Sequence, residues 1–215
     1  MDVTIIGAGN MGRGIGTRLV AGGNNVTVLD NDPEQAKQLA EELRAGATEG
    51  AAAEGGAAND PIDGDVLVLA VWYEPARAVI EQYGDQLEGK VVIDITNPVN
   101  VETFDGLVTP ADSSAAEELA KLAPAGAKVV KAFNTTFAGT LVAGQVGGQA
   151  LDVMIAGDDD EAKRTVAELA RAGGLNPIDA GPLKRARELE ALGFLHMALQ
   201  DELGTGYGSA VKLIG

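Results

Sequence analysis

The sequence contains no cysteine, one histidine and one tryptophan among its 215 residues. The absence of cysteine excludes disulfides, thiolate nucleophiles and cysteine-ligated metals. Basic residues are also scarce, with 16 Lys and Arg against 32 Asp and Glu, for a formal net charge of −16. Because nucleic acids and anionic membranes attract basic surfaces, we expect neither as a partner.

Long hydrophobic runs are absent too. The longest covers residues 66–73, which is eight residues, whereas a helix that crosses a bilayer needs ~20. Met1 and Asp2 lead directly into the first apolar segment, without the charged and apolar regions of a secretory signal. From these features we expect a cytoplasmic protein with no membrane partner.

The acidic balance, together with many Ala and Gly and few Lys, suggests a halophile. A dense carboxylate surface is tolerable where salt shortens the Debye length to ~3 Å at 1 M. In dilute buffer the same charges repel one another and loosen the fold. The alternative is an acidic enzyme from an ordinary cytoplasm.

Apolar runs alternate with helical patterns along the chain, and this order predicts an α/β fold with a doubly wound parallel sheet. Most of the runs are continuous, as expected for strands buried on both faces. An Ala- and Gly-rich stretch at 45–64 predicts a short third strand. The strands are predicted at residues 2–6, 25–30, 65–71, 91–95, 127–133, 152–156 and 175–179, and the helices at 10–22, 33–44, 75–84, 112–123, 160–172 and 184–203.

The glycines of the first turn carry the clearest functional signal. Gly7, Gly9 and Gly12 follow an apolar strand and open a helix, which is the context a dinucleotide-binding motif requires. Gly7 allows the sharp turn, Gly9 lets backbone amides approach a pyrophosphate, and Gly12 lets the helix pack on the strand. Asp30, 18 residues after Gly12, is placed to accept hydrogen bonds from the adenosine ribose. This pattern predicts a Rossmann domain over 1–145, and a purely structural glycine turn is the alternative. The remaining residues, 146–215, are predicted to form a small C-terminal α/β domain that serves substrate binding or dimerisation.

The predicted strand ends hold small apolar, amide and hydroxyl side chains instead of an acid and base pair. A dehydrogenase that acts on an alcohol must move a proton, and needs such a pair. A hydride exchange between two cofactors needs only that two flat rings are held face to face. We therefore predict no catalytic side chain. Lys131 is the exception among the strand ends, and is interpreted either as capping the sheet or as meeting a cofactor phosphate.

Three other features have interpretations of their own. His196 lies on the apolar stripe of the last helix and is expected in the core or an interface. Trp72 and Tyr73 end a buried strand, and are either core or a wall beside the nicotinamide. Asp158, Asp159 and Asp160 precede a helix, so a helix N-cap explains them better than a metal site.

Several segments resemble the NADPH-dependent coenzyme F420 reductases. They include V-T-I-I-G-A-G-N-M-G-R-G, V-V-K-A-F-N-T-T-F-A and I-D-A-G-P-L-K-R-A-R-E-L-E, and the A-F-N-T and D-A-G-P-L stretches are the specific ones. The resemblance covers nearly the whole chain. It implies a homodimer that passes a hydride between the nicotinamide C4 of NADP and the C5 of the deazaflavin coenzyme F420, which would be the co-substrate.

The resemblance also implies four groups of site residues. The pyrophosphate would be held by Ala8, Gly9, Asn10 and Met11, and the adenosine side and the nicotinamide ribose would be flanked by Val71, Trp72, Asn97 and Pro98. The nicotinamide and the deazaflavin would lie beside Asn134 and Thr135, and the deazaflavin side would be lined by Leu192, Gly193 and Tyr207.

One departure from the family pattern concerns cofactor choice. NADP-using members of the family place a Ser-Arg or similar pair after the second strand, whereas this chain has Asp30 and Asn31 there. A carboxylate at this point favours a free 2′-hydroxyl and repels a 2′-phosphate. We therefore expect that NADH is preferred or that both dinucleotides are accepted.

The sequence thus predicts an oxidoreductase that transfers a hydride between NAD(P)H and a deazaflavin or flavin-like acceptor. One alternative is a non-catalytic NAD(P)-binding redox sensor. Another is a small imine or carbonyl dehydrogenase, in which Lys131 or Tyr73 would supply the proton. Membrane-bound ferric reductases with a related soluble domain are set aside, because no transmembrane segment is present.

Overall fold

A computed structural model describes residues 1–214 as strands alternating with helices. The strands are β1 (Asp2–Ile6), β2 (Asn25–Asp30), β3 (Ala53–Ala57), β4 (Val66–Leu69), β5 (Val91–Asp94), β6 (Lys128–Lys131), β7 (Gln145–Val146), β8 (Gln149–Ala150), β9 (Asp152–Gly157) and β10 (Asn176–Gly181). The helices are α1 (Asn10–Ala21), α2 (Pro33–Ala45), α3 (Tyr73–Tyr83), α4 (Ala115–Leu122), α5 (Ala138–Ala143), α6 (Asp160–Ala172), α7 (Ala186–Ala198) and α8 (Gln200–Leu203).

Eight of the strands form one sheet, in the order β10-β9-β6-β5-β4-β1-β2-β3. The six strands from β3 to β6 in this order are all parallel, and the order reverses between β1 and β4. A dinucleotide binds at such a reversal, across the carboxyl ends of the strands. The predicted Rossmann-type α/β fold is confirmed.

The C-terminal strands extend this sheet. β9 pairs antiparallel with β6, with Val130 opposite Gly157, and β10 pairs parallel with β9. The sheet is therefore mostly parallel, whereas the sequence pattern predicts a wholly parallel one. The division of the chain into domains at residue 145 stays a prediction, although hydrogen bonds of the sheet connect the two parts.

The core lies on both faces of the sheet, which explains the continuous apolar runs. In β4, Val66 and Val68 join the cluster beneath α1, α2 and α6, whereas Leu67 and Leu69 join the one beneath α3 and α4. No helix within residues 1–214 has the length and apolarity to cross a membrane.

Capping residues place several helix ends as predicted. Asp32 accepts hydrogen bonds from the backbone N–H groups of Glu34 (3.1 Å) and Gln35 (3.4 Å) at the start of α2. Asp159 accepts one from Ala162 (2.8 Å) at the start of α6, so the expected N-cap in the acidic triplet is confirmed.

Other element predictions are corrected. α4 begins at Ala115 instead of 112, because Ser114 is its N-cap and accepts from the Glu117 N–H (3.1 Å). The long helix predicted at 184–203 begins at Ala186 and ends at Ala198, and a short α8 follows it. Helix α5 and the β7–β8 hairpin were not predicted, since elements of two to six residues carry little periodicity.

Candidate functional site

The glycine turn between β1 and α1 is built as its sequence requires. Gly7 has φ of +111°, and a Cβ there would lie 2.5 Å from the Ala70 carbonyl oxygen. A Cβ on Gly12 would lie 2.1 Å from the Gly7 oxygen. Both positions must be glycine for the protein's own packing. A Cβ on Gly9 meets no atom within 4 Å, so the space beside Gly9 is open to a ligand.

The first turn of α1 faces that space. Gly9 is the N-cap residue, and no side chain caps the helix. The first amides of a helix lack intrahelical partners and carry a partial positive charge, so they bind phosphate groups. This turn therefore has the chemistry of a pyrophosphate site.

Asp30 lies at the end of β2, beside the turn. Its Oδ2 accepts a hydrogen bond from the Ala8 N–H (2.7 Å), and its Oδ1 accepts one from the Asp32 N–H (2.9 Å). Asn31 is exposed. At the mouth of the site, the Arg13 guanidinium is paired with Glu42 (Nε to Oε2, 2.8 Å).

A cavity of about 740 Å³ runs from the glycine turn across the ends of β4, β5 and β6. Eight of the residues expected at a site line it, namely Gly9, Asn10, Met11, Val71, Trp72, Asn97, Asn134 and Tyr207. Ten further lining residues were not predicted from the sequence, namely Arg13, Ala70, Ile95, Thr96, Thr136, Phe137, Ala138, Gly139, Val142 and Met197.

Two asparagines form the floor of this cavity. The Asn97 Nδ2 donates to the Asn134 carbonyl (2.8 Å), and the Asn134 Nδ2 donates to the Asn97 Oδ1 (2.9 Å) and to the Leu189 carbonyl (2.9 Å). Phe133, with φ of +62°, turns the chain just before Asn134. The Asn134 Oδ1 and the Thr96 Oγ1 are buried without a hydrogen-bond partner in the described chain, and both residues line the cavity.

The far end of the cavity is apolar. Phe137, Val142, Met197 and Tyr207 line it, and Tyr207 packs edge-on against Phe137 with ring centroids 5.0 Å apart. Among the described lining residues, Arg13 and Tyr207 are the ionisable ones. This end can hold a flat ring, and Tyr207 is the ionisable side chain among the four residues that line it.

His196 lies behind this wall, as expected of a core residue. Its ring stacks on Phe137 at 4.3 Å, and its Nε2 is 2.8 Å from the Ser209 Oγ. Burial lowers the pKa of His196, which favours the neutral ring.

The structure decides between the alternatives for Trp72, Tyr73 and Lys131. Trp72 is 60% exposed at the cavity rim, so the core interpretation of it is wrong. Tyr73 is the first residue of α3, packs against the core and does not line the cavity. Lys131 is fully buried at the end of β6, so it does not reach a cofactor phosphate. Neither Tyr73 nor Lys131 is therefore placed to supply a proton in the cavity.

Nine other expected residues are not among those that line the cavity. Five of them lie in the glycine turn, at the start of α1 or at the end of β2, namely Gly7, Ala8, Gly12, Asp30 and Asn31. Pro98 and Thr135 are buried next to the two asparagines. A Cβ on Gly193 would lie 2.7 Å from the Asn97 Oδ1, so Gly193 packs behind the asparagine pair. Leu192 packs against the small core cluster around Leu189. The prediction for α7 is corrected, because this helix presents Met197 to the cavity instead of Leu192 and Gly193.

Comparison with known proteins gives a consistent picture. Residues 2–98 match a family described as NADP oxidoreductase coenzyme F420-dependent. The chain is 30% identical to the F420-dependent NADP reductase of Methanothermobacter marburgensis, over 89% of each chain. It is 38% identical to the metalloreductase STEAP3 of Rattus norvegicus over 88% of its own length, but it spans only 36% of that protein.

A solved structure from Arthrobacter sp. FB24 is provisionally assigned as an F420-dependent NADP reductase, and its alignment with this chain covers 99% of each of the two chains. The two superpose with a TM-score of 0.84 at 27% identity. The similarity therefore includes the C-terminal part that follows the matched residues 2–98.

Proposed function

Because the chain belongs to the coenzyme F420-dependent NADP oxidoreductase family, we propose that it transfers a hydride between a nicotinamide dinucleotide and a deazaflavin or flavin ring. The observation that carries the proposal is that one continuous cavity joins the open glycine turn to an apolar pocket. The two ends have the chemistry that a pyrophosphate and a flat ring require.

The residues of the cavity fit a dinucleotide. The α1 N-terminus beside Gly9 would bind the pyrophosphate, and Asp30 would accept hydrogen bonds from the adenosine ribose. The buried Asn134 Oδ1 would accept a hydrogen bond from the nicotinamide carboxamide, which satisfies an acceptor that is otherwise costly to bury.

The apolar end supports a second ring. When bound, the nicotinamide supplies the hydride, and the acceptor ring provides the remaining redox chemistry. Phe137, Val142 and Met197 exclude water there, and Tyr207 covers one edge of the pocket. The side chains act by position, because hydride transfer requires the two rings to be held at reacting distance.

We propose further that NADH is accepted at least as well as NADPH. The Asp30 carboxylate lies where the adenosine ribose is expected, and Asn31 offers no positive charge to a 2′-phosphate. The Methanothermobacter marburgensis relative is an NADP reductase, so this preference would be a property of the present chain.

A homodimer also remains a proposal. Leu195, Leu199 and Leu203 recur every four residues along α7 and α8, and all three are exposed. Such a stripe is typical of a surface that another chain covers. Light scattering of the purified protein is expected to give twice the monomer mass.

Turnover tests the proposed reaction. Purified protein is mixed with NADH or NADPH and with coenzyme F420 or riboflavin, and oxidation of the nicotinamide is followed by absorbance. We expect turnover with at least one acceptor. Tight binding of a dinucleotide without turnover of any acceptor would support the redox-sensor alternative, and turnover of a cyclic imine alone would support the dehydrogenase alternative.

A glycine substitution tests the site. Gly9→Val is expected to abolish dinucleotide binding, because the new side chain fills the space beside the α1 N-terminus, while the fold is retained. Gly106→Val is the matched control, since it also meets no atom within 4 Å but lies away from the cavity. Calorimetry should detect dinucleotide binding by the control and none by Gly9→Val; equal affinities would place the site elsewhere.

A further inference from the structure

Three charged side chains meet in the core beneath the asparagine pair. The Lys131 Nζ lies 2.6 Å from the Asp94 Oδ2 and 2.7 Å from the Glu190 Oε1. Their side chains are at most 1% exposed. One cation thus faces two carboxylates, in a place that water does not reach. We call these three residues the buried charge cluster.

Backbone groups complete the buried charge cluster. The Glu190 carboxylate accepts hydrogen bonds from the N–H groups of Ala115 (2.9 Å) and Ala116 (3.3 Å), at the N-terminus of α4. Lys131 Nζ donates to the Thr96 carbonyl (2.7 Å), and Asp94 Oδ1 accepts from the Thr96 N–H (2.8 Å). Both backbone polar groups of Thr96 are therefore bound by the cluster.

Stability does not account for such an arrangement. Burial raises the pKa of Glu190 against the attraction of Lys131, which means that the ionised carboxylate is held at a cost. Burial also works against the charged form of Lys131, and only the facing Asp94 and Glu190 hold its pKa above the ordinary value. Apolar replacements of buried ion pairs are often neutral or stabilising. The cluster is better explained by what it positions.

The buried charge cluster holds both sides of the cavity floor. Thr96 directly precedes Asn97, and Leu189 directly precedes Glu190. The Leu189 carbonyl accepts the Asn134 Nδ2, and Asn134 and Asn97 bind each other. The asparagine pair is thus connected at each end to a residue that the cluster fixes, and α7 is connected to the ends of β5 and β6.

We propose that Lys131, Asp94 and Glu190 are positioning residues, which set the orientation of the Asn134 Oδ1 and the Thr96 Oγ1 in the cavity. Through these two oxygens the cluster sets the placement of the nicotinamide ring, while the adenosine half of the dinucleotide depends on the distant glycine turn. This inference rests on the proposed function. It adds three residues that never touch a ligand.

A charge-neutral variant tests the inference. The triple substitution Lys131→Met, Asp94→Asn and Glu190→Gln removes the charges with little change of shape. We expect kcat for hydride transfer to fall ~10–100-fold, because small misplacement of reacting groups is enough for such a loss. The affinity for ADP-ribose, which lacks the nicotinamide, is expected to be unchanged. Glu190→Gln alone keeps an oxygen that accepts the Ala115 N–H, and its kcat is expected to lie between the values of the wild type and the triple variant.

A control variant separates positioning from stability. Leu169→Ala empties a buried site on α6, away from the cavity, and lowers stability without touching the cluster. The inference is overturned if the triple variant keeps the wild-type kcat, or if kcat falls as much in Leu169→Ala as in the triple variant. Should the triple variant fail to fold, Glu190→Gln carries the same comparison.

Binding provides a readout that does not depend on turnover. In the wild type we expect NADH to bind more tightly than ADP-ribose, and in the triple variant this ratio should shrink. An unchanged ratio would overturn the inference even if no acceptor is ever reduced. If instead the proposed function is wrong, the wild type shows no turnover, but the ratio of NADH affinity to ADP-ribose affinity still falls in the triple variant.

Discussion

Asp30 closes the glycine turn at the end of β2, where its carboxylate accepts a hydrogen bond from the Ala8 N–H. Under the proposed function the same carboxylate would also accept hydrogen bonds from the adenosine ribose. One acidic residue would then combine a structural contact with the choice between two dinucleotides.

A double substitution tests the proposed choice of dinucleotide. We expect Asp30→Ser with Asn31→Arg to shift the NADPH to NADH ratio of kcat/KM by about 10–100-fold toward NADPH, since a hydrogen bond to a charged group contributes ~1.5–3 kcal/mol. Asn31→Arg alone is the control and should shift the ratio less, because the Asp30 carboxylate remains. If both variants keep the wild-type ratio, the ribose contact lies elsewhere.

At the scale of residues, the sequence predicts what is local. Gly7, Gly9 and Gly12 are recognised because the turn and its flanking elements lie within a dozen residues. Phe137 and Met197 come from distant segments, and only the packing of α5 and α7 brings them together. The resemblance implies Gly193 on the ligand side, but Gly193 packs behind Asn97, because the part of α7 that carries it faces the asparagine pair.

At the scale of elements, Asp152 at the start of β9 holds the C-terminal segment that carries Tyr207. It forms an ion pair with Lys212, and its Oδ2 accepts from the Leu213 N–H (2.8 Å). The Asn176 Nδ2 also donates to it (2.7 Å). Burial alone would raise the pKa of Asp152, but these partners hold it below the ordinary value of 3.8.

This element gives a prediction with a defined pH dependence. Because the pKa of Asp152 is lowered on folding, its stabilising effect is present above the unfolded value and is lost as pH falls through the folded value. Asp152→Asn is expected to lower the free energy of unfolding by about 1–3 kcal/mol at neutral pH. In urea titrations the difference from wild type should shrink below pH 3.8.

The control for this prediction is Asp160→Asn, which alters the exposed carboxylate of a pair with Lys163 and should change stability little. A difference between Asp152→Asn and wild type that stays constant down to the acid limit would contradict the assignment of the effect to ionised Asp152.

Element positions follow from apolar runs and caps, but the direction of a strand does not. The run of β9 reads like the parallel strands before it, since all are buried on both faces. It lies antiparallel to β6 because the chain between them folds as α5 and the short β7–β8 hairpin, and not as a long crossover helix. The sequence pattern does not predict these short connecting elements.

At the scale of the whole molecule, the net charge of −16 predicts a dependence on salt. Repulsion among the carboxylates should weaken as the Debye length falls from ~10 Å at 0.1 M to ~3 Å at 1 M. We expect the free energy of unfolding to rise over this range of KCl, as measured by thermal and urea unfolding. Sucrose at matched osmolality is the control and should not reproduce the ionic part of the effect.

Stability that is flat or falls with KCl would favour an ordinary acidic enzyme over a halophilic one. The charge is a property of composition, so it is visible in the sequence, whereas the buried charge cluster is not. Lys131, Asp94 and Glu190 are spread over nearly a hundred residues of chain, and only the assembled sheet and α7 bring them into contact.

The central claim is that one cavity holds a nicotinamide and an acceptor ring face to face, so that the hydride passes directly between them. The most direct test uses NADH or NADPH deuterated at the transferred position of C4, with coenzyme F420 as acceptor in ordinary water. Mass spectrometry of the reduced coenzyme should find the deuterium retained at C5, and Gly9→Val should give none. Reduced coenzyme that carries only solvent hydrogen at C5, or no reduction of either coenzyme F420 or riboflavin by the wild-type protein, would contradict the account.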